Sequence, residues 1–174
     1  DSIYPCAPTS RDCLPEPGIG NPAQYLDILS YRQRPTWRLA YRNFGMYESL
    51  VTNQSVEAAP SVAGARWYEI RRTGSTPPGP ITYSIHQQGT YAPGATDGIH
   101  RWMGSIAMDA NGNMALGYSA SNATIYPSIR YTGRLAGDPL GTMPQGEGVV
   151  IDGTGAQTGS NRWGDYTSMN VDPS

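Results

Sequence analysis

Asn43-Phe-Gly-Met-Tyr-Glu-Ser-Leu-Val-Thr-Asn53 reads position for position like Arg162-Trp-Gly-Asp-Tyr-Thr-Ser-Met-Asn-Val-Asp172, with an aromatic ring, a glycine, a tyrosine and a serine in the same slots. A shorter copy lies between them, Arg101-Trp-Met-Gly-Ser-Ile-Ala-Met-Asp109, and it aligns once two residues are dropped after the tryptophan. The shared serines are Ser49, Ser105 and Ser168, 56 and then 63 residues apart. A long, nearly constant period signals one supersecondary unit repeated.

The repeated unit reads as antiparallel strands. Asp109-Ala-Asn-Gly-Asn113 is a turn signal between two apolar-patterned runs, which makes a hairpin. Ser128 to Thr132 and Gly148 to Ile151 supply two more strands before the next Arg-Trp, each bounded by proline or glycine. The preceding unit offers Ser49 to Thr52, Ala65 to Ile70, Ile81 to Ile85 and a weaker run from Gln88 to Tyr91. Four short antiparallel strands per repeat make the blade of a β-propeller. The expectation is therefore an all-β chain of antiparallel four-stranded blades, partial in extent, with blades starting near 43, 101 and 162. That gives about two blades and the opening strand of a third. A ring typically closes with at least four, so the rest comes from further blades of a longer chain or from neighbouring subunits that cover the open sheet edges.

Composition fits this reading. There are 21 glycines, 15 prolines, 12 tyrosines and 4 tryptophans in 174 residues, and the best helix candidate is only Ala23 to Tyr31. A formal net charge of −2 without a basic run argues against nucleic acid as a partner. No apolar run approaches the roughly 18 residues needed for a membrane helix, so no membrane insertion is expected. All twelve cationic side chains are arginine. That excludes lysine chemistry and leaves planar, permanently charged groups suited to carboxylates or aromatic faces.

Residues 1–24 read as a proline-rich arm, and residues 25–174 carry the partial propeller. Cys6 and Cys13 lie within the arm; a local disulfide there would clip it and indicate an oxidising, secreted or extracellular setting. Two free thiols and a metal pair are the alternatives. Zinc would need His86 and His100 at a spacing that matches no common site, so no metal is expected. The chain starts at Asp1, which suggests that a signal segment was removed or that the numbering begins inside a longer product.

Arg66-Trp-Tyr-Glu-Ile-Arg71, Gln87-Gln-Gly-Thr-Tyr-Ala-Pro93, Arg101 to Asp109, Pro127-Ser-Ile-Arg-Tyr-Thr-Gly-Arg134, Asp138-Pro-Leu-Gly-Thr-Met143 and Arg162-Trp-Gly-Asp-Tyr166 together resemble a module of large secreted bacterial proteins, the sialidase-like or repeat-containing β-propellers. The likeness covers about residues 25 to 174. It implies the propeller fold; a sialidase-type member would add an arginine cluster for a substrate carboxylate, a tyrosine nucleophile activated by glutamate, and an aspartate as acid/base. The sequence departs from that pattern. It has no Arg-Ile-Pro or Arg-Leu-Pro opening and no Ser-x-Asp-x-Gly-x-x-Trp box, and Tyr68 and Glu69, adjacent on a strand, point to opposite faces.

Other signatures are weaker. Gly117-Tyr-Ser-Ala-Ser121 is one glycine short of a nucleophile elbow. Gly153-Thr-Gly155 lacks the lysine and helix of a phosphate loop. Asp109 to Asn113 has its glycine at the fourth position and no later bidentate glutamate, which favours a turn over a calcium loop. No catalytic residue and no cofactor is assigned.

The functional expectation follows from the repeat. The residues before a blade's first strand sit at the mouth of a propeller's channel, which places Arg101, Trp102, Arg162, Trp163, Asp165 and Tyr166 there as candidate binding residues. An aromatic ring beside a guanidinium suits a sugar ring and its hydroxyls or carboxylate. The competing role is packing, with the same aromatics wedged between sheets. The sequence thus points to a binding or structural module with a glycan as ligand. The alternatives are a sialidase-like glycoside hydrolase, which an arginine cluster with a paired tyrosine and glutamate would distinguish, and an assembly element pairing through its sheet edges.

Overall fold

The turn at Asp109 shows how local chemistry sets the strands. Its carboxylate accepts from the backbone N–H of Asn111 at 2.8 Å and of Asn113 at 2.9 Å, and from Asn113 Nδ2 at 2.8 Å. Gly112 takes a left-handed conformation, φ 85°, which side chains disfavour. The oxygen-rich pentapeptide is thus a hairpin turn, as the position of its glycine predicts. The structure, a computed structural model, describes residues 5–6, 11–28, 35–74 and 80–172, and side chains from residue 12 onward.

The fold is all-β. β1 (Pro5–Cys6), β2 (Arg11–Leu14) and β3 (Leu26–Asp27) form a small sheet. β4 (Ala40–Asn43), β5 (Glu48–Ala59), β6 (Val62–Gly74) and β7 (Ile81–Tyr91) form a four-stranded antiparallel sheet in chain order. A single helical turn, α1 (Gly94–Asp97), leads into a second such sheet, β8 (His100–Met108), β9 (Met114–Ser121), β10 (Ser128–Arg134) and β11 (Glu147–Ile151).

Several expectations are corrected. The first large sheet opens at β4, so Phe44 to Tyr47 is a turn: Phe44 N–H donates to Tyr47 O at 2.9 Å, Gly45 N–H donates to Asn43 Oδ1 at 2.7 Å, and Gly45 has φ 80°. Ser49 accordingly lies on the second strand of its sheet, Ser105 lies on the first strand of the next, and Ser168 lies on no strand. The repeat preserves a local turn more closely than a strand position. Gly164 shares the left-handed conformation of Gly45, with φ 73°, and Met103, after Trp102, adopts φ 47° where β8 shifts register.

The runs at 81–85 and 88–91 join into one strand, because a register shift opposite Glu69 and Ile70 absorbs His86. Residues 162–172 form no strand. Over Ala23 to Ile28 there is a 3-10 turn at Pro22–Gln24 and then β3, while Leu29 to Tyr31 lie outside the described residues. The arm is less irregular than its prolines suggest. Cys6 pairs with Arg11 in the β1–β2 ladder, and Cys13 lies two residues beyond Arg11 on β2. The expected Cys6–Cys13 bridge involves a side chain outside the described residues.

Two apolar clusters hold the sheets together. Val51, Ala65 and Trp67 of the first large sheet meet Ile106, Met108, Met114, Leu116 and Tyr118 of the second, with Met143. Leu14, Leu26 and Ile28 pack on Ala63, Trp102 and Met103, with Trp163 alongside. Full burial of each large apolar side chain contributes roughly 1.5–3 kcal/mol. β8 belongs to both clusters, and all nine of its residues are buried.

Candidate functional site

Residues 162–172 cross the second large sheet as a rib. Thr167 Oγ1 donates to Met103 O at 3.0 Å and Met169 N–H donates to Ser105 Oγ at 2.8 Å. Both sides advance by two residues, so the rib runs extended in the direction of β8. Its burial agrees: Thr167 and Met169 are half-buried, while Tyr166, Ser168 and Asn170 are exposed. Upstream, Arg162 pairs with Asp165, and Trp163 turns inward against the small-sheet cluster.

A depression flanks the rib on each side. One, of about 560 Å³, has Ser105, Ser119, Ile129, Tyr131 and Val150 facing Trp163 and Tyr166. The other, of about 1090 Å³, lies between the rib residues Gly164 to Ser168 and the segment Pro35 to Leu39, with Thr52 at its base. Tyr166 contributes to both and is 94% exposed; Trp37, across the wider cleft, is 67% exposed. The segment carrying Trp37 is anchored from behind, since Thr36 Oγ1 donates within 2.6 Å of Gly104 O and Thr36 N–H donates to Asn53 O at 2.8 Å. Beside Trp37, the exposed Arg38 has no hydrogen-bond or ion-pair partner among the described residues. Two exposed aromatic residues, Arg38, Thr52 and Ser168 therefore line one cleft.

The structure divides the six predicted binding residues. Asp165 and Tyr166 line the wide cleft, Trp163 lines the narrower groove, and Arg162 lines neither, being exposed and paired to Asp165. Arg101 and Trp102 are corrected: they are 1% and 0% exposed and meet no open surface. Trp102 is the wedge between β8 and the small sheet, because β8 is covered on both faces. Trp37, Arg38 and Tyr131 escaped sequence reading because they lie outside the repeat; the adjacent Trp37-Arg38 pair was the available signal.

Arg101 serves a buried ionic network. Its Nε and Nη2 donate to Glu147 at 2.6 and 3.0 Å, Nη2 donates to Asp97 Oδ2 at 2.8 Å and Nη1 donates to Ile99 O at 2.8 Å. Arg130 Nη1 donates to Glu147 Oε1 at 2.7 Å and Tyr118 OH donates to Oε2 at 2.7 Å. Burial opposes ionisation of Glu147, yet the bonds from Arg101, Tyr118 and Arg130 outweigh it and hold its carboxyl below the usual range. Burial and the bond to Glu147 push the Tyr118 hydroxyl up, keeping it protonated.

A tyrosine, a glutamate and two arginines thus stand together, at positions other than Tyr68 and Glu69. Tyr68 accepts from Gln54 Nε2, whereas Glu69 is buried with Ser49, Arg71 and Gln87. Among the described residues no group of three or more histidine, cysteine, aspartate or glutamate side chains is placed to hold a metal ion, and no helix is long and apolar enough to cross a membrane. Comparison with protein-family models, with curated proteins and with solved structures finds no match to this chain.

Proposed function

We propose that this chain is a secreted or cell-surface binding module of stacked, propeller-type sheets, and that it holds a saccharide in the cleft between Trp37 and Tyr166. The observation that carries the reading is the exposure of these two rings on the two segments that line one cleft. Isolated exposed apolar residues are ordinary, whereas exposed aromatics lining one cleft with hydroxyls and a charged group suit a sugar, whose apolar face stacks and whose hydroxyls need partners. Arg38 adds affinity for a sugar carboxylate or bridges ring hydroxyls. Secretion, a Cys6–Cys13 bridge, the kinship with bacterial sialidase-like propellers and the completion of the stack by further blades or neighbouring subunits belong to the same proposal. A glycan array probed with the intact protein tests it: a defined set of glycans should be retained, and Tyr166→Ala should lose them. Retention of none, or equal retention by the variant, removes the reading.

A glycoside hydrolase is the second reading, favoured by the Tyr118–Glu147 pair with its two arginines. It ranks below the first on chemistry. Arg101 is fully engaged by Glu147, Asp97 and Ile99 O, and Arg130 spends Nη1 on Glu147, which leaves only part of one guanidinium for a substrate carboxylate. The tyrosine is buried and held protonated, the reverse of an activated nucleophile. Hydrolysis of an aryl glycoside that Tyr118→Phe abolishes without unfolding the protein would restore it.

A further inference from the structure

The groove on the other side of the rib has a different character. Within the chain, the two large sheets lie on one another with an offset of one strand. β8, the first strand of its sheet, crosses β5, the second strand of the other: Met103 N–H donates to Ser55 Oγ at 2.8 Å, and Val51 shares a cluster with Ile106. β9, the second strand, faces β6 and β7, where Trp67 clusters with Leu116 and the Tyr91 and Tyr118 rings are 5.7 Å apart.

The rib repeats the first half of this pattern on the opposite face of the second sheet. The Met169 methyl fills the space a side chain on Gly117 would occupy, and Gly164 sits against Ser119 Oγ, so the rib crosses β9 much as β8 crosses β5. The second half is missing. The next strand would rest on β10 and β11, where Ile129, Tyr131 and Val150 are 43%, 47% and 63% exposed and line the groove of about 560 Å³. Residues 163–171 of the rib make no backbone–backbone hydrogen bond among the described residues. Of these backbone groups Met169 N–H alone is tied to the sheet among the described residues, through Ser105 Oγ, and Trp163, Gly164 and Tyr166 to Met169 border that groove.

Resting on the incomplete stack proposed above, we infer that this groove seats an antiparallel β-strand of a partner, hydrogen-bonded to the rib through the main chain of Ser168 and Asn170, on the edge opposite the committed Met169 N–H, with alternate apolar side chains resting on Ile129, Tyr131 and Val150. Main-chain bonds supply affinity in strand addition and alternate side chains supply selectivity. The chemistry required is that of β9, whose Met114, Leu116 and Tyr118 all join the core between the sheets.

A fluorescent peptide copying residues 114–121, titrated into the intact protein and read by anisotropy, tests the inference. Saturable binding is expected, weakened about tenfold or more by Ile129→Lys in the protein, equivalent to about 1.4 kcal/mol, and lost when the peptide carries Leu116→Ser and Tyr118→Ser. The Trp37→Ala protein should bind the peptide as wild type does, which separates this site from the saccharide cleft. Absence of saturable binding, equal binding of both peptides, or indifference to Ile129→Lys overturns it, as does displacement of the peptide by a saccharide that the cleft retains.

Discussion

The backbone N–H of Met169 donates to the hydroxyl of Ser105 at 2.8 Å, fastening the last copy of the repeat to the middle one. With Thr167 Oγ1 on Met103 O, it pins the rib that presents Tyr166. Ser105→Ala should cost about 1 kcal/mol, the net worth of one such bond, and should speed amide exchange across residues 163–171 while leaving β9 and β10 protected. Hydrogen-exchange mass spectrometry resolves the two regions.

Trp102 and Tyr166 occupy corresponding neighbourhoods of the repeat but opposite environments, one fully buried and the other 94% exposed. Trp102→Ala should destabilise the fold by about 3–5 kcal/mol, as large-to-small core substitutions do. Tyr166→Ala should stay within about 0.5 kcal/mol, as exposed substitutions usually do. Urea unfolding of the two variants gives both values.

The ionic network makes an asymmetric prediction. Arg101→Met leaves Glu147 with only Arg130 and the Tyr118 hydroxyl and should destabilise by about 3–5 kcal/mol, the cost typical of breaking a buried pair from one side. Adding Glu147→Leu to that variant should recover part of the loss, because no carboxylate then remains buried there. If the double variant is less stable than the single, the network does more than neutralise charge.

Acid should expose His100. Burial, and then the nearby Arg101, push its pKa down to about 4 from 6.5. As pH falls through 6.5 the unfolded chain takes up the proton first, so stability is lost progressively until about pH 4, by about 3 kcal/mol in all. Asp97 and Glu147, held low by Arg101, contribute loss only below about pH 4.5, the unfolded range of carboxylates. The drop in urea midpoint from pH 7 to pH 4.5 should therefore shrink in His100→Gln.

Strand chemistry was legible wherever the pattern was local. The Asp109 turn, β10 and β11 follow from turn residues and alternating side chains. The start of the first large sheet was not, because Ala40 to Asn43 is too short to show a period and the Phe44-Gly45 turn resembles the entry to a strand. Burial of Arg101 was equally hidden: its partners Asp97 and Glu147 lie 4 and 46 residues away, and only the fold brings the second one near. Half of the cleft was readable from the repeat through Asp165 and Tyr166, while the segment carrying Trp37 has no counterpart in the repeat.

The four tryptophans provide a direct reading of where a ligand lands. Their indole N–H resonances, assigned by single substitution, can be followed while a saccharide retained on the array is titrated into the isotopically labelled protein. The cleft reading predicts a saturable shift of Trp37, with Trp67 and Trp102, buried in the two cores, unmoved. A Trp37 resonance that stays fixed at saturating saccharide, while the protein still binds it, would contradict the account.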